Sequence, residues 1–83
     1  MPAKKSPANQ TLGEAIRSAR EYRGYTQEGF ARTAGMDRSY YGAVERGERN
    51  VSLTNIIRIA SALKTPPAKL FAQAESRSKF LGS

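Results

Sequence analysis

Three glycines, Gly24, Gly35 and Gly47, punctuate the middle of the chain, and each closes a run of apolar residues spaced for a helix. Helices interrupted so often are short. A short helix is marginal alone, so several must pack together around one small core. No strand signal and no internal repeat is visible, and 83 residues suffice for one domain. The expected architecture is all-α, a compact five-helix bundle.

The first helix opens on TLGE, where Thr11 can cap and Glu14 can reach back, a capping-box pattern. Leu12, Ala15, Ile16, Ala19 and Tyr22 follow at helical spacing. The second starts after Thr26 and buries Phe30, Ala31 and Ala34. Gly35 stops it and can supply the left-handed conformation of a tight turn. The third starts after Asp37, with Met36 and Tyr41 spaced as a hydrophobic staple and Val44 completing its inner face. The fourth follows Ser52. Leu53, Ile56, Ile57, Ala60 and Leu63 form its stripe, leaving Ile59 to one side and partly exposed. The fifth opens on TPPAKLF, with Thr65 as cap, Pro66 in the first position, and Leu70, Phe71 and Ala74 on its apolar side. Residues 1–10 read as a disordered basic arm. The polar stretch after Ala74 reads as a tail that can pack through Phe80 and Leu81.

There is no cysteine and no histidine. Disulfides, zinc sites of the usual ligand types, and Ser-His or Cys-His relays are therefore excluded. No Gly-rich phosphate loop is present, and neither an enzyme nor a bound cofactor or metal is expected. No stretch approaches the roughly 18 apolar residues of a membrane span, and no apolar run follows the N-terminal lysines as in a secretory signal. The expected compartment is the cytoplasm. The net charge of +7 and pI near 10.3 favour a polyanionic partner, nucleic acid foremost. That charge is uneven: residues 1–25 carry about +3, residues 26–50 about zero and residues 51–83 about +4. The third helix is thus no crude basic patch. If it meets DNA, it does so through specific side chains, with the flanks supplying long-range attraction.

The outer side of that helix is unusually bare. Between Met36, Tyr41 and Val44 lie Asp37, Arg38, Ser39 and the small Gly42 and Ala43. With a small Ala31 for a close crossing and Gly35 at the turn, the second and third helices make a helix-turn-helix candidate. The stretch TQEGFARTAGMDRSYYGAVERGERNVSL (residues 26–53) resembles the Cro/C1-type helix-turn-helix family of phage repressors and bacterial regulators. Within it, DRSYYGAVERGERN is similar to the controller proteins of restriction–modification systems. The resemblance covers residues 11 to about 72, and residues 11–74 are the expected DNA-binding domain, with 75–83 as the tail.

The resemblance implies that the third helix enters the major groove of double-stranded DNA. Arg38 would grip a guanine in a bidentate pair. Ser39 would hydrogen-bond a base or phosphate, and Arg46 would reach either. Ala43, where relatives carry a long polar side chain, could touch only a thymine methyl. Thr26, Gln27, Tyr40, Arg49, Asn50 and Ser52 would hold phosphates. Arg20 and the Glu45 of the ERG motif would form a structural ion pair. A homodimer on a pseudo-palindromic operator is implied, with Ile59, Leu70 and Phe71 as apolar interface candidates. Glu45 and Glu48 could touch RNA polymerase. One alternative is an antitoxin that binds its own operator and masks a toxin protein through Phe80 and Leu81. Another is a nonspecific architectural DNA binder, marked by steep salt dependence without sequence preference.

Overall fold

The computed structural model describes residues 6–77, and the expected five helices account for most of them. They are α1 (Pro7–Tyr22), α2 (Gln27–Thr33), α3 (Arg38–Glu45), α4 (Leu53–Leu63) and α5 (Pro67–Ser76). Among the described residues there is no strand.

Three of the expected caps are in place. Thr26, Asp37 and Ser52 accept from the amides of Gly29, Tyr40 and Asn55 at 3.0, 3.1 and 3.1 Å. Each satisfies one of the orphan donors of a first turn. The ends of the bundle differ from expectation. α1 begins five residues early, because Ser6 rather than Thr11 is the cap, accepting from the Asn9 amide at 3.1 Å, and Pro7 fills the first helical position, where its missing N–H costs nothing. Thr11 lies inside the helix, and its hydroxyl donates to the Ala8 carbonyl at 3.1 Å. Residues 7–10 are thus helix rather than arm; residues 1–5 lie outside the described residues. α5 starts one residue late: Pro66 is the cap and makes no side-chain bond, while the Thr65 hydroxyl donates to the Leu63 carbonyl at 3.2 Å. It runs on to Ser76; Phe80 and Leu81 lie outside the described residues.

The turn between α2 and α3 depends on Gly35, at φ +69°. The Met36 amide donates to the Ala31 carbonyl at 2.8 Å and the Gly35 amide to the Arg32 carbonyl at 3.1 Å. This paired pattern closes a helix through one left-handed residue. The same bonds recur after α4, where a lysine, Lys64 at φ +54°, takes the left-handed position.

The core gathers Ile16, Phe30, Ala31, Tyr41, Val44, Ile59, Ala60, Leu63 and Leu70. The Phe30 ring sits 5.3 Å from Tyr25, edge-on, and 5.1 Å from Tyr41. α5 lies along α1, and α3 packs on both α1 and α2. One corner of the fold rests on the absence of a side chain. A Cβ on Gly13 would lie 2.5 Å from the Glu45 carbonyl oxygen and 2.6 Å from that of Val44. Only glycine lets α1 come so close to the end of α3.

α4 is rotated relative to the expected stripe. Ile56, Ile59, Ala60 and Leu63 face inward, while Leu53 and Ile57 are 66% and 50% exposed. Ile59 and Leu70 have no accessible surface at all. Both are core residues, which rules them out as interface contacts in this arrangement. Phe71 is 44% exposed.

Candidate nucleic-acid interface

α3 offers a narrow outer face. Arg38 and Ser39 are exposed in its first turn, and Arg46 is exposed at its C-terminal end. Ala43 belongs to the inner side: it is only 8% exposed, so the thymine contact expected of it has almost no surface to make it. Gly42 is buried as well: a Cβ there would lie 3.1 Å from Arg46 Nη1 and 3.2 Å from Gln27 Oε1, the two side chains that cover it.

Behind this face is a buried polar cluster. Arg20 Nε donates to Glu45 Oε2 at 2.7 Å and Nη2 donates to Oε1 at 3.2 Å. Arg20 Nη1 also reaches the Tyr25 carbonyl at 2.8 Å. Gln27 Nε2 donates to Glu45 Oε1 at 3.0 Å, and the Tyr41 hydroxyl donates to Glu45 Oε2. One carboxylate thus collects α1, α2 and α3. Burial alone would raise the Glu45 carboxyl, but hydrogen bonds from Arg20, Tyr41 and Gln27 outweigh it and hold the group below the ordinary carboxylate value. Tyr41 is pushed far up, first by burial and then by donating to Glu45. The Arg20 guanidinium is raised, chiefly by its hydrogen bond to Glu45. No buried side-chain polar atom among the described residues lacks a partner. The arrangement fixes the position of α3 from its inner side, while Arg38 and Ser39 stay exposed on the outer one.

A helix-turn-helix family model matches residues 16–70, a span that holds both helices, the turn and the buried cluster. The chain belongs to the Cro/C1-type helix-turn-helix family of DNA-binding regulators. Control protein C.SmaI of Serratia marcescens is 42% identical over 64 residues, 77% of this chain and 76% of that protein. A Neisseria hypothetical transcription factor from Neisseria meningitidis is 38% identical over 70 residues, 84% of this chain and 66% of that protein. Among solved structures, the restriction-modification controller protein C.AhdI from Aeromonas hydrophila matches with a TM-score of 0.74 at 48% identity, covering 76% of this chain and 96% of that one. The clp gene regulator ClgR from C. glutamicum matches with a TM-score of 0.81 at 27% identity, over 84% of this chain and 91% of that one. This is a family of DNA-binding regulators and not of enzymes.

Several of the residues expected to hold phosphates have defined partners within the fold. The Gln27 amide nitrogen donates one of its two N–H groups to Glu45, so its side chain positions the cluster and keeps a second N–H to donate. Thr26 and Ser52 use their hydroxyl oxygens as caps, leaving each hydroxyl proton to donate. The Tyr40 hydroxyl accepts from Asn55 Nδ2 at 3.1 Å, and the Arg49 guanidinium lies 5.9 Å above the Tyr40 ring. Asn50 Oδ1 accepts from Asn9 Nδ2 at 2.7 Å, tying the loop after α3 to the first turn of α1. Glu45 is buried and cannot meet a polymerase; Glu48 is half-buried and accepts from Arg46 Nε at 3.1 Å.

Three participants escaped the sequence reading: the Tyr41 hydroxyl, Asn55 and Asn9. Tyr41 and Glu45 stand four residues apart, the spacing that joins neighbours on a helix face, and that was the available signal. Asn55 and Asn9 act across long sequence separations and gave none. Among the described residues no helix is long and apolar enough to cross a membrane, and no cluster of metal-ligating side chains forms.

Proposed function

We propose that this helix-turn-helix protein is a cytoplasmic, sequence-specific transcriptional regulator that binds a pseudo-palindromic DNA operator as a homodimer, in the manner of a restriction–modification controller. The observation that carries this reading is the outer face of α3: Arg38 and Ser39 stand free at its N-terminal half while Glu45 locks the helix from behind. In this reading Arg38 reads a guanine through its O6 and N7. Ser39 contacts a neighbouring base or phosphate, and Arg46 reaches a base edge or phosphate past Gly42. Arg49, Asn50, Tyr40, Thr26 and Ser52 set the register on the backbone. The control proteins among the relatives favour this reading over the antitoxin alternative.

One such module makes few base contacts, and pairing two recognition helices about 34 Å apart multiplies them. The apolar surfaces available for pairing are Ala68, Phe71 and Ala72 on α5 and Leu53 and Ile57 on α4.

The test is selection from a random duplex pool at near-physiological salt, followed by affinity measurement on the enriched site. A two-fold symmetric site with half-sites about one helical turn apart is expected. Arg38→Ala should weaken that site by about 1–3 kcal/mol per half-site while changing nonspecific binding little. Equal losses on specific and random duplexes would remove Arg38 from readout. No enrichment would remove sequence specificity altogether.

A further inference from the structure

A cleft of about 460 Å³ runs between α1 and α5, lined by Ser18, Tyr22, Arg23, Lys69, Gln73 and Arg77 among others, and among the described residues no acidic one lines it. It opens away from α3. Ser18 and Tyr22 lie about half a turn around α1 from Gly13 and Arg20, the residues that meet α3. A duplex held on α3 leaves this cleft uncovered.

Three cations converge there. Two are held in place by neutral groups. Arg77 Nη2 donates to the Ser18 hydroxyl at 2.8 Å, bridging the end of α5 to α1. Arg23 Nη2 donates to the Lys64 carbonyl at 3.2 Å, bridging the end of α1 to the left-handed cap of α4. Such tethers fix the guanidiniums without neutralising them, and Lys69 adds a third positive charge from α5. Like charges gathered in a concave site repel one another, and a bound anion relieves that repulsion. Beside them the Tyr22 ring is 90% exposed. A flat aromatic face next to fixed cations suits a ligand that is itself part phosphate and part aromatic. The volume falls within the ordinary range for small-molecule sites, about 300–1,000 Å³.

We propose that the α1–α5 cleft binds a mononucleotide, with Arg23, Lys69 and Arg77 on its phosphate and Tyr22 stacked on its base. This goes beyond the regulator reading and does not depend on it, since the site and its measurement involve no DNA.

The test is a nuclear magnetic resonance titration of the full chain, isotope-labelled, with adenosine monophosphate as the probe. Adenosine, inorganic phosphate and a short glutamate-rich peptide serve as comparisons. Saturable shifts are expected at the amides of residues 18–23 and 69–77, with a dissociation constant of about 0.1–1 mM. Lys69→Gln and Arg77→Gln should each weaken binding about tenfold, the scale of one lost charge-assisted bond. Tyr22→Ala should weaken the nucleotide and leave phosphate unchanged. All three side chains are exposed, so the variants keep the fold, which a thermal melt verifies. Shifts centred on α3 and the start of α2 would overturn the proposal, because the probe would then be mimicking a DNA phosphate. Equal affinity for inorganic phosphate, or tighter binding of the acidic peptide, would overturn the nucleotide assignment. So would the lack of any saturable shift.

Discussion

Glu45 carries more of this fold than any apolar residue of its size could, because three side chains from three helices converge on its carboxylate. Arg20 contributes both a charge and a fork that matches the carboxylate, and its side chain is only 9% exposed. Taking away Glu45 leaves that guanidinium buried without its partner, and such a break costs about 3–5 kcal/mol. Glu45→Ala should therefore lose a large part of the stability of so small a domain in urea denaturation. A paired Arg20→Met/Glu45→Leu replacement should recover most of the loss, because no charge is stranded. A DNA-binding defect in Glu45→Ala is then a folding defect, which circular dichroism distinguishes from loss of readout. The same residue sets an acid limit. Its carboxyl is lowered in the folded state, so its stabilisation is present above the ordinary carboxylate value and is lost as pH falls through the lowered one. Tyr41 is raised, so its contribution is complete below the ordinary phenol value and declines as pH rises above it. The gap in Tm between the wild type and Glu45→Gln should be constant from about pH 5 to 9 and narrow below about pH 4.5. A gap that does not change down to pH 3 would contradict the shift.

Two glycines show how differently the elements are held together. Alanine favours a helix over glycine by about 1 kcal/mol, so either α1 Gly13→Ala or α3 Gly42→Ala would stabilise an isolated helix. At Gly13 the new methyl would strike the backbone of Glu45 and Val44 at 2.5 and 2.6 Å, and no rotamer can relieve that. Overpacking of this kind costs about 1–3 kcal/mol, and pushing α1 off α3 also pulls Arg20 from Glu45. Gly13→Ala should lower Tm by several degrees. At Gly42 the nearest atoms are side-chain ends rather than backbone, the exposed Arg46 Nη1 at 3.1 Å and Gln27 Oε1 at 3.2 Å, the latter on an amide bonded to Glu45. Gly42→Ala should melt close to the wild-type temperature and yet weaken operator binding, because it displaces Arg46. What could be read from the sequence follows the same division. Caps at Thr26, Asp37 and Ser52 and the turn at Gly35 are local chemistry, and a local pattern states them. The start of α1 was misread because Ser6 and Thr11 are both competent caps, and only the Asn9–Asn50 bond and the packing around Gly47 select the earlier one. The face of α4 was misread because Ile56, Ile57 and Ile59 satisfy two helical registers, and tertiary packing chose the one that buries Ile59. Spacing sets Ala43 on the outer face, yet both it and Gly42 are buried, and the cover that Arg46 and Gln27 lay over Gly42 is not legible from spacing. The Arg20–Glu45 pair came from family resemblance. Its extension to Gln27 and Tyr41 depends on three-dimensional proximity that no spacing announces, apart from the step from Tyr41 to Glu45.

At the scale of the whole molecule the recognition segment is nearly neutral, while residues 1–25 and 51–83 carry about +3 and +4. In the proposed reading the base-contacting segment is neutral and long-range attraction comes from the flanks, and the two respond differently to salt. Cations that neutralise phosphates, as Arg49 does in the proposed reading, release counterions and make affinity fall steeply with salt, whereas a bidentate contact from Arg38 to a base is less sensitive. Doubling the module doubles the phosphate contacts as well as the base contacts. The surface best suited to doubling it is the Phe71 side of α5, where Ala68 and Ala72 leave the ring room to meet its symmetry mate. A carboxylate at position 71 would be buried in that contact close to Glu75, which lines the same patch. Phe71→Glu should therefore sediment as a monomer at concentrations where the wild type is a dimer, with an unchanged melting profile in dilute solution. On the two-fold operator it should lose affinity by more than tenfold. Its plot of log affinity against log salt should have about half the wild-type slope, because only one set of phosphates is then engaged. A variant that stays dimeric with the full slope would move the interface to the exposed Leu53 and Ile57 of α4. A monomeric variant that keeps the full slope would mean that one chain alone spans the operator, and the two-fold reading of the site would fail.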